Sequence, residues 1–171
     1  TPFVEEKRLH VYFGSYGLIC YDHEGLEIWK KPLTTPRSLY GTASSPLVHE
    51  DLLIQVIDDD ANMPKSQVSR SRILALDKKS GKIVWERFRP FHRSGWSTPT
   101  IWEHGSSREL VVLGNGSLRG YSLPDGEEKW QVDGFSRETI ARPMTGNGKV
   151  YASGSRLGGS ADLKTDPLPF W

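Results

Sequence analysis

A tryptophan closes the same short motif three times along this chain, and this repetition constrains the fold more than any other feature. The three copies are "CYDHEGLEIW" (20–29), "ALDKKSGKIVW" (75–85) and "GYSLPDGEEKW" (120–130). In each copy a glycine stands four residues before the tryptophan, and the first copy is one residue shorter than the others. A motif that recurs at this interval indicates a repeat architecture.

Proline supplies a second anchor, at the head of each of four units. Successive prolines lie 44, 53 and 44 residues apart, at Pro2, Pro46, Pro99 and Pro143. Another β-like run, such as "LLIQVI" or "ELVVLG", lies between the proline and the tryptophan motif of each unit. Proline is tolerated at the first residue of a strand, and glycine supplies the turns that join strands. Each full unit is therefore predicted to be four short strands.

Four-stranded units of this length are typical of propeller blades. We predict an all-β β-propeller segment of about three and a half blades, a single domain over 1–171. The blades are placed at about 1–30, 45–86, 98–131 and, in part, 142–171. A β-sandwich is the alternative, but it gives no reason for tryptophan and glycine to recur in phase.

The charge and hydropathy patterns argue against two classes of function. The 171 residues carry a net charge of only +1, with charged residues scattered. No basic stripe of the kind that collects phosphates is visible, so we expect no nucleic-acid partner. The longest apolar runs are strand-sized, so we expect no membrane-spanning helix.

The second copy of the motif resembles the tryptophan-docking motif of pyrroloquinoline-quinone-like (PQQ-like) propellers. Ala75, Asp77, Ser80, Gly81 and Trp85 fit that pattern at every position. The third copy keeps Gly126 and Trp130 but has Ser122 in place of Asp and Asp125 in place of Thr, and the first keeps Asp22, Gly25 and Trp29. The resemblance extends over essentially the whole chain.

The family includes quinoprotein alcohol dehydrogenases, the outer-membrane assembly lipoprotein BamB and many exported bacterial proteins. The resemblance implies that each tryptophan stacks on the glycine turn of the next blade, and that eight blades close the ring. The missing blades would come from a longer chain or from self-association. It also implies a periplasmic or secreted protein, although no signal peptide opens this chain.

The resemblance leaves three functions open. The first, which we favour, is a non-catalytic scaffold that binds a protein partner. The second is a piece of a quinoprotein oxidoreductase that holds pyrroloquinoline quinone and calcium. Those enzymes carry a vicinal disulfide, which a chain with the single cysteine Cys20 lacks. The third is carbohydrate or small-ligand binding at the mouth of the channel. No residue stands out as catalytic, and we expect Cys20 to be a buried small hydrophobe.

The stretch "DDDANMP" is the only candidate metal loop. Asp58, Asp60 and Asn62 alternate as calcium ligands do, but Met63 stands where an EF-hand needs glycine and Ser69 where it needs glutamate. We therefore expect a solvated acidic loop inserted into the second blade.

The connectors that lead into each new blade hold the candidate ligand residues. Arg93 and Arg137 each stand six residues before a repeat proline, and Trp96 lies in the same connector as Arg93. Near a central channel they would form a site for an anionic or aromatic ligand; hydrogen bonding between blades is the alternative. The histidines show no metal-binding spacing and are expected at the surface or in turns: His10, His23, His49, His92 and His104. The sequon at 115–117 is expected to be a hairpin turn.

Overall fold

The computed structural model describes residues 1–38, 40–59, 67–68, 70–93, 95–135 and 139–154. In this part of the chain, strands are the only regular elements of more than one residue. They form three four-stranded antiparallel sheets followed by a two-stranded hairpin. The prediction of an all-β chain built from repeating four-stranded units is therefore confirmed. The fourth unit is described only to residue 154.

The strands follow the chain in order within every sheet. The first sheet, here called blade 1, comprises β1 (Phe3–Val4), β2 (Leu9–Phe13), β3 (Gly17–Tyr21) and β4 (Glu27–Pro32). Blade 2 comprises β5 (Leu47–His49), β6 (Leu52–Ile57), β7 (Arg72–Asp77) and β8 (Ile83–Phe88). Blade 3 comprises β9 (Thr100–His104), β10 (Ser107–Gly114), β11 (Ser117–Ser122) and β12 (Glu128–Asp133). The last hairpin pairs β13 (Met144–Gly146) with β14 (Lys149–Tyr151).

Each motif tryptophan lies on the fourth strand of its blade and opposite a small residue on the third. Cys20 pairs with Trp29, Ala75 with Trp85, and Gly120 with Trp130. A register shift follows this pair in all three blades. Cys20 is buried, as expected, and burial raises the pKa of its thiol.

Two of the tryptophans cross to the next blade and lie on its glycine turn. A methyl group placed on Gly81 would lie 2.6 Å from the Trp29 ring, and one on Gly126 would lie 2.6 Å from the Trp85 ring. The Trp29 Nε1–H donates to the Lys78 carbonyl (3.0 Å). Trp85 Nε1–H makes the equivalent bond to Leu123 (2.7 Å). Both rings therefore join adjacent blades by packing and by one hydrogen bond.

The same motif has no such contact at Gly25, and Trp130 packs differently. A methyl group on Gly25 would have open space for 4 Å around it, although its φ of +85° matches that of the other turns. The Trp130 ring lies over Gly120 of its own blade and edge-on to Trp102, with 5.9 Å between ring centroids. Its indole N–H donates to the Glu109 carboxylate.

An acidic residue organises each of the two longer glycine turns. In blade 2, Asp77 Oδ1 accepts hydrogen bonds from the backbone N–H of Ser80 (2.7 Å) and from its hydroxyl (2.6 Å). In blade 3 the two residue types are exchanged, and the Ser122 hydroxyl bonds to the Asp125 carboxylate. The departures from the motif in the third copy therefore preserve the hydrogen bond and reverse its direction.

Apolar side chains fill the two junctions between blades. Leu18, Cys20 and Trp29 of blade 1 pack against residues of blade 2 that include Leu53 and Leu74. A second cluster joins blades 2 and 3, and a third lies between blade 3 and the last hairpin. Packing of successive blades thus forms the core, as in other repeat proteins.

The other face of blade 1 carries apolar side chains that nothing described covers. It consists of Val4, Leu9, Val11, Phe13, Ile19 and Tyr21, and we call it the open face. Val4 is 60% exposed and Phe13 45% exposed. Their register equivalents in blade 2, Val48 and Ile57, are half-buried and buried against blade 1. Among the described residues, no helix has the length and apolar character that a membrane crossing requires.

Candidate functional site

The candidate site lies where the chain passes from one blade to the next. The connectors 33–46, 89–99 and 134–143 each leave a fourth strand and lead to the first strand of the following blade. Because neighbouring strands are antiparallel, these connectors lie at the same end of the sheets as the end of β6 and the start of β7, which the 58–71 loop joins. We call this the connector end.

A buried ion pair holds the start of the 58–71 loop against the second connector. The Asp58 carboxylate pairs with the Arg89 guanidinium and also accepts the Gly95 backbone N–H (3.1 Å). Arg89 Nη1 lies 3.2 Å from His92 Nε2. Burial alone would lower the pKa of Arg89, but attraction to Asp58 raises it. Removing one member of a buried pair typically costs about 3–5 kcal/mol, so this pair fixes the connector.

Asp59 is also buried and is held by two arginines. The guanidinium of Arg37 approaches its carboxylate at 2.6 and 3.1 Å, and Arg70 approaches at 3.2 Å. The Arg37 backbone N–H donates a further hydrogen bond (2.5 Å). Burial would raise the pKa of Asp59, but these bonds outweigh it and lower the pKa to about 2. The carboxylate is therefore ionised under all ordinary conditions.

These contacts overturn the expectation of a solvated acidic loop at its first two residues. Asp58 and Asp59 face inward and bind arginines, whereas Asp60 and Asn62 lie outside the described residues. A calcium ion at Asp58 would have to displace a guanidinium. No group of three or more potential metal-binding side chains occurs in the described ranges.

The histidine expectation is wrong for His10, whereas His92 lies in the turn that begins at Arg89. His92 is buried beside the Asp58–Arg89 ion pair, and His10 is fully buried in blade 1. His10 Nε2 lies 2.8 Å from the Glu5 carboxylate, which also binds Lys78 Nζ of blade 2 (2.5 Å). The pKa of His10 is lowered by burial.

Asn115 lies in a turn with a φ of +52°, as expected for the sequon.

Trp96 links all three connectors. Its backbone N–H donates to the Thr139 carbonyl (3.0 Å), and its indole N–H donates to the Gly41 carbonyl (3.1 Å). The Tyr40 ring lies 5.8 Å from the Trp96 ring, centroid to centroid. Tyr40 is 79% exposed and Ile140 is 74% exposed. The Tyr40 and Trp96 rings lie side by side, and Ile140 follows Thr139, which binds Trp96. We call these three residues the connector surface.

Sequence reasoning selected only one member of this surface. Of the three ligand candidates, Trp96 belongs to it, Arg93 is half-buried in the same connector, and Arg137 lies outside the described residues. Tyr40 and Ile140 were missed. Their positions carried a weak signal: Ile140 and Trp96 each stand three residues before a repeat proline, and Tyr40 stands six before.

Comparison with known families yields one match, over nearly the full length. The family model described as outer membrane protein assembly factor BamB matches residues 1–167. By sequence, no curated protein resembles the chain at a significant level.

Three solved structures with a similar fold are β-propellers, one a BamB and two quinohemoprotein alcohol dehydrogenases. BamB from Moraxella catarrhalis has a TM-score of 0.57 and 17% identity, covering 83% of this chain and 41% of that chain. The quinohemoprotein alcohol dehydrogenase of Comamonas testosteroni has a TM-score of 0.58 and 14% identity, covering 87% and 30%. The quinohemoprotein alcohol dehydrogenase ADHIIG of Pseudomonas putida HK5 has a TM-score of 0.53 and 13% identity, covering 77% and 26%.

The similarity confirms the predicted propeller fold. The chain spans less than half the length of each of these proteins.

Proposed function

Because this chain belongs to the BamB-like family of PQQ-like propeller repeats, we propose that it is a rigid, non-catalytic platform that recognises another protein. Recognition occurs at the connector surface, and the blades hold that surface in place. The family resemblance further supports a periplasmic or outer-membrane-associated location.

The proposal rests mainly on the connector surface itself. Tyr40 and Ile140 are the two most exposed large apolar side chains among the described residues. The Tyr40 ring lies beside Trp96, and Ile140 follows Thr139, whose carbonyl accepts the Trp96 N–H. Exposed aromatic residues on a fixed backbone lose little conformational entropy on binding, which is why they dominate the binding energy of many interfaces. A surface of this kind is costly unless something covers it.

The buried charges at the same end support a structural role over a catalytic one. Asp58 is neutralised by Arg89, and Asp59 by Arg37 and Arg70. These carboxylates therefore do not fit the calcium ion that quinoprotein dehydrogenases need beside their quinone. Their bonds instead tie the connectors to blade 2, which is what a platform requires.

Position-specific crosslinking tests the proposal. A photo-crosslinking phenylalanine analogue replaces Tyr40 in the longest available parent protein, expressed in its own cells. We expect one discrete crosslinked protein, and we expect Ile140→Asp to abolish it while circular dichroism stays unchanged. The matched control carries the analogue at Val84, an exposed residue on β8.

Two results would overturn the proposal. One is an equal pattern of crosslinks from Tyr40 and Val84, or a pattern unaffected by Ile140→Asp. The other is saturable quenching of tryptophan fluorescence by pyrroloquinoline quinone with Ca²⁺, which would favour the oxidoreductase alternative.

A further inference from the structure

The two blade junctions differ at the end opposite the connectors, where the turns lie. At the junction of blades 1 and 2, the Arg8 side chain reaches across to the β7–β8 turn. Its Nη1 donates to the carbonyls of Lys78 (3.3 Å) and Lys79 (3.1 Å). The Lys78 carbonyl thus accepts two donors, since Trp29 Nε1 also binds it.

The junction of blades 2 and 3 has the equivalent turn and the equivalent tryptophan hydrogen bond, but no arginine at the position of Arg8. The register equivalent of Arg8 in blade 2 is Leu52, because Leu9 and Leu53 pair with Val4 and Val48 respectively. The two carbonyls correspond to those of Leu123 and Pro124. Leu123 accepts the Trp85 indole N–H as Lys78 accepts that of Trp29.

A pocket of about 510 Å³ lies at this second junction. Leu52, Leu123 and Pro124 form its apolar part, and Glu50, Glu103 and Arg108 are among its charged lining residues. Arg108 pairs with both glutamates, at 3.3 Å for Glu103. The three charged groups together leave one negative charge without compensation, so the pocket favours a cation.

We propose that this pocket binds a guanidinium group, supplied by the arginine side chain of a peptide or by a small arginine derivative. The guest repeats what Arg8 does at the neighbouring junction: it donates to the Leu123 and Pro124 carbonyls, and its stem covers Leu52. Glu50 and Glu103 balance its charge.

The geometry favours arginine over lysine. Arg8 Nη1 alone donates to both carbonyls, which its two N–H groups allow, and a guanidinium is more weakly hydrated than the compact ammonium group of lysine. This site is independent of the connector surface, so either proposal can fail without the other.

Spectra of ¹⁵N-labelled protein test the proposal, with N-acetyl-arginine amide as the probe. We expect the Trp85 indole N–H signal to shift saturably with a Kd of roughly 1 mM, in the range of weak small-ligand sites. The Trp29 indole N–H is the internal control and should not move, because its acceptor carbonyl already binds Arg8. No saturable shift at Trp85, or an equal shift at Trp29, would overturn the proposal.

Three further arms sharpen the test. Glu50→Gln combined with Glu103→Gln should weaken binding about fivefold, as expected for exposed charge pairs. The pair Glu6→Gln and Glu24→Gln removes the same charge outside the pocket lining and should leave binding unchanged. Leu52→Arg should place a guanidinium in the pocket and prevent binding. Equal affinity for N-acetyl-lysine amide, or no effect of the Glu50 and Glu103 changes, would contradict guanidinium recognition.

The source of the guanidinium is tested with the capped tripeptide Ala-Arg-Ala. Binding at least as tight as that of N-acetyl-arginine amide, with the same Trp85 shift, supports an arginine within a peptide. Binding of the amide alone supports a small arginine derivative. Binding of neither overturns the proposal.

Discussion

At the scale of single residues, we expect Asp59 to make the stability of the connector end sensitive to acid. Its pKa is lowered to about 2 in the folded protein from an ordinary value of 3.8. A carboxyl with a lowered folded pKa stabilises the fold above its unfolded pKa, and this stabilisation is lost as the pH falls through the folded pKa. Because Arg37 and Arg70 are partly exposed, we assign about 1–2 kcal/mol to it at neutral pH.

We therefore expect Asp59→Asn to lower the free energy of unfolding by about 1–2 kcal/mol at pH 7, and the deficit to shrink to near zero as the pH falls from 4 to 2. Urea unfolding at pH 7, 4 and 2.5 measures this difference. Asp133→Asn on exposed β12 is the matched control and should give no comparable deficit. A deficit that is constant with pH would contradict the assignment.

The environment of Asp59 was beyond local sequence reasoning. Three consecutive aspartates look solvated because nothing adjacent neutralises them. Arg37 lies 22 residues before Asp59, and Arg89 lies 31 residues after Asp58. Only the packing of connectors onto blade 2 brings these charges together. The expectation for His10 was wrong for the same reason, because the burial of this strand residue depends on contacts with the neighbouring blade.

At the scale of the structural element, the three glycine turns provide a built-in comparison. All three glycines have positive φ, so alanine at any of them costs about 1 kcal/mol from the backbone alone. A tryptophan ring lies against Gly81 and Gly126 but not against Gly25. The extra cost at the first two positions therefore measures the packing of tryptophan on the turn.

We expect Gly25→Ala to lower the free energy of unfolding by about 1 kcal/mol, and Gly81→Ala and Gly126→Ala to lower it by about 2–4 kcal/mol. Denaturant unfolding followed by circular dichroism measures all three. Equal effects at the three glycines would mean that the rings move aside at little cost, and the docking role that the resemblance implies would be wrong.

The elements themselves were largely predictable. Proline at the head of each unit, glycine before each tryptophan and β-branched runs between them indicate four strands per unit, and blades 1 to 3 contain them. These are local signals, set by backbone conformations and by the alternation of buried side chains. The connector surface was not predictable, because Tyr40, Trp96 and Ile140 come from three connectors that only the stacking of blades aligns.

At the scale of the whole molecule, the open face of blade 1 is an apolar sheet face that no other described part of the chain covers. Its register equivalents in blade 2 include Leu53, Ile57, Leu74 and Leu76, all buried against blade 1. A sheet face of this kind is normally covered by another blade or by another molecule. Either a further blade of a longer chain or a second copy would satisfy it.

We expect the isolated 171-residue chain to self-associate through this face. Sedimentation velocity should show association that increases with concentration, and Phe13→Lys with Ile19→Lys should suppress it while circular dichroism stays unchanged. Ile83→Lys with Val84→Lys on exposed β8 is the matched control. Association that survives the first pair and is lost with the second would place the contact at the outer edge of blade 2 instead.

The exchange of serine and aspartate in the turn of blade 3 has a consequence for how such repeats are recognised. A scoring scheme that treats positions independently penalises Ser122 and Asp125 as two separate departures. Physically they are a single change, because the serine donor and the aspartate acceptor exchange positions and the side-chain hydrogen bond between them is kept. Scoring the two positions jointly would remove this double penalty and would count the exchange as a conserved hydrogen bond.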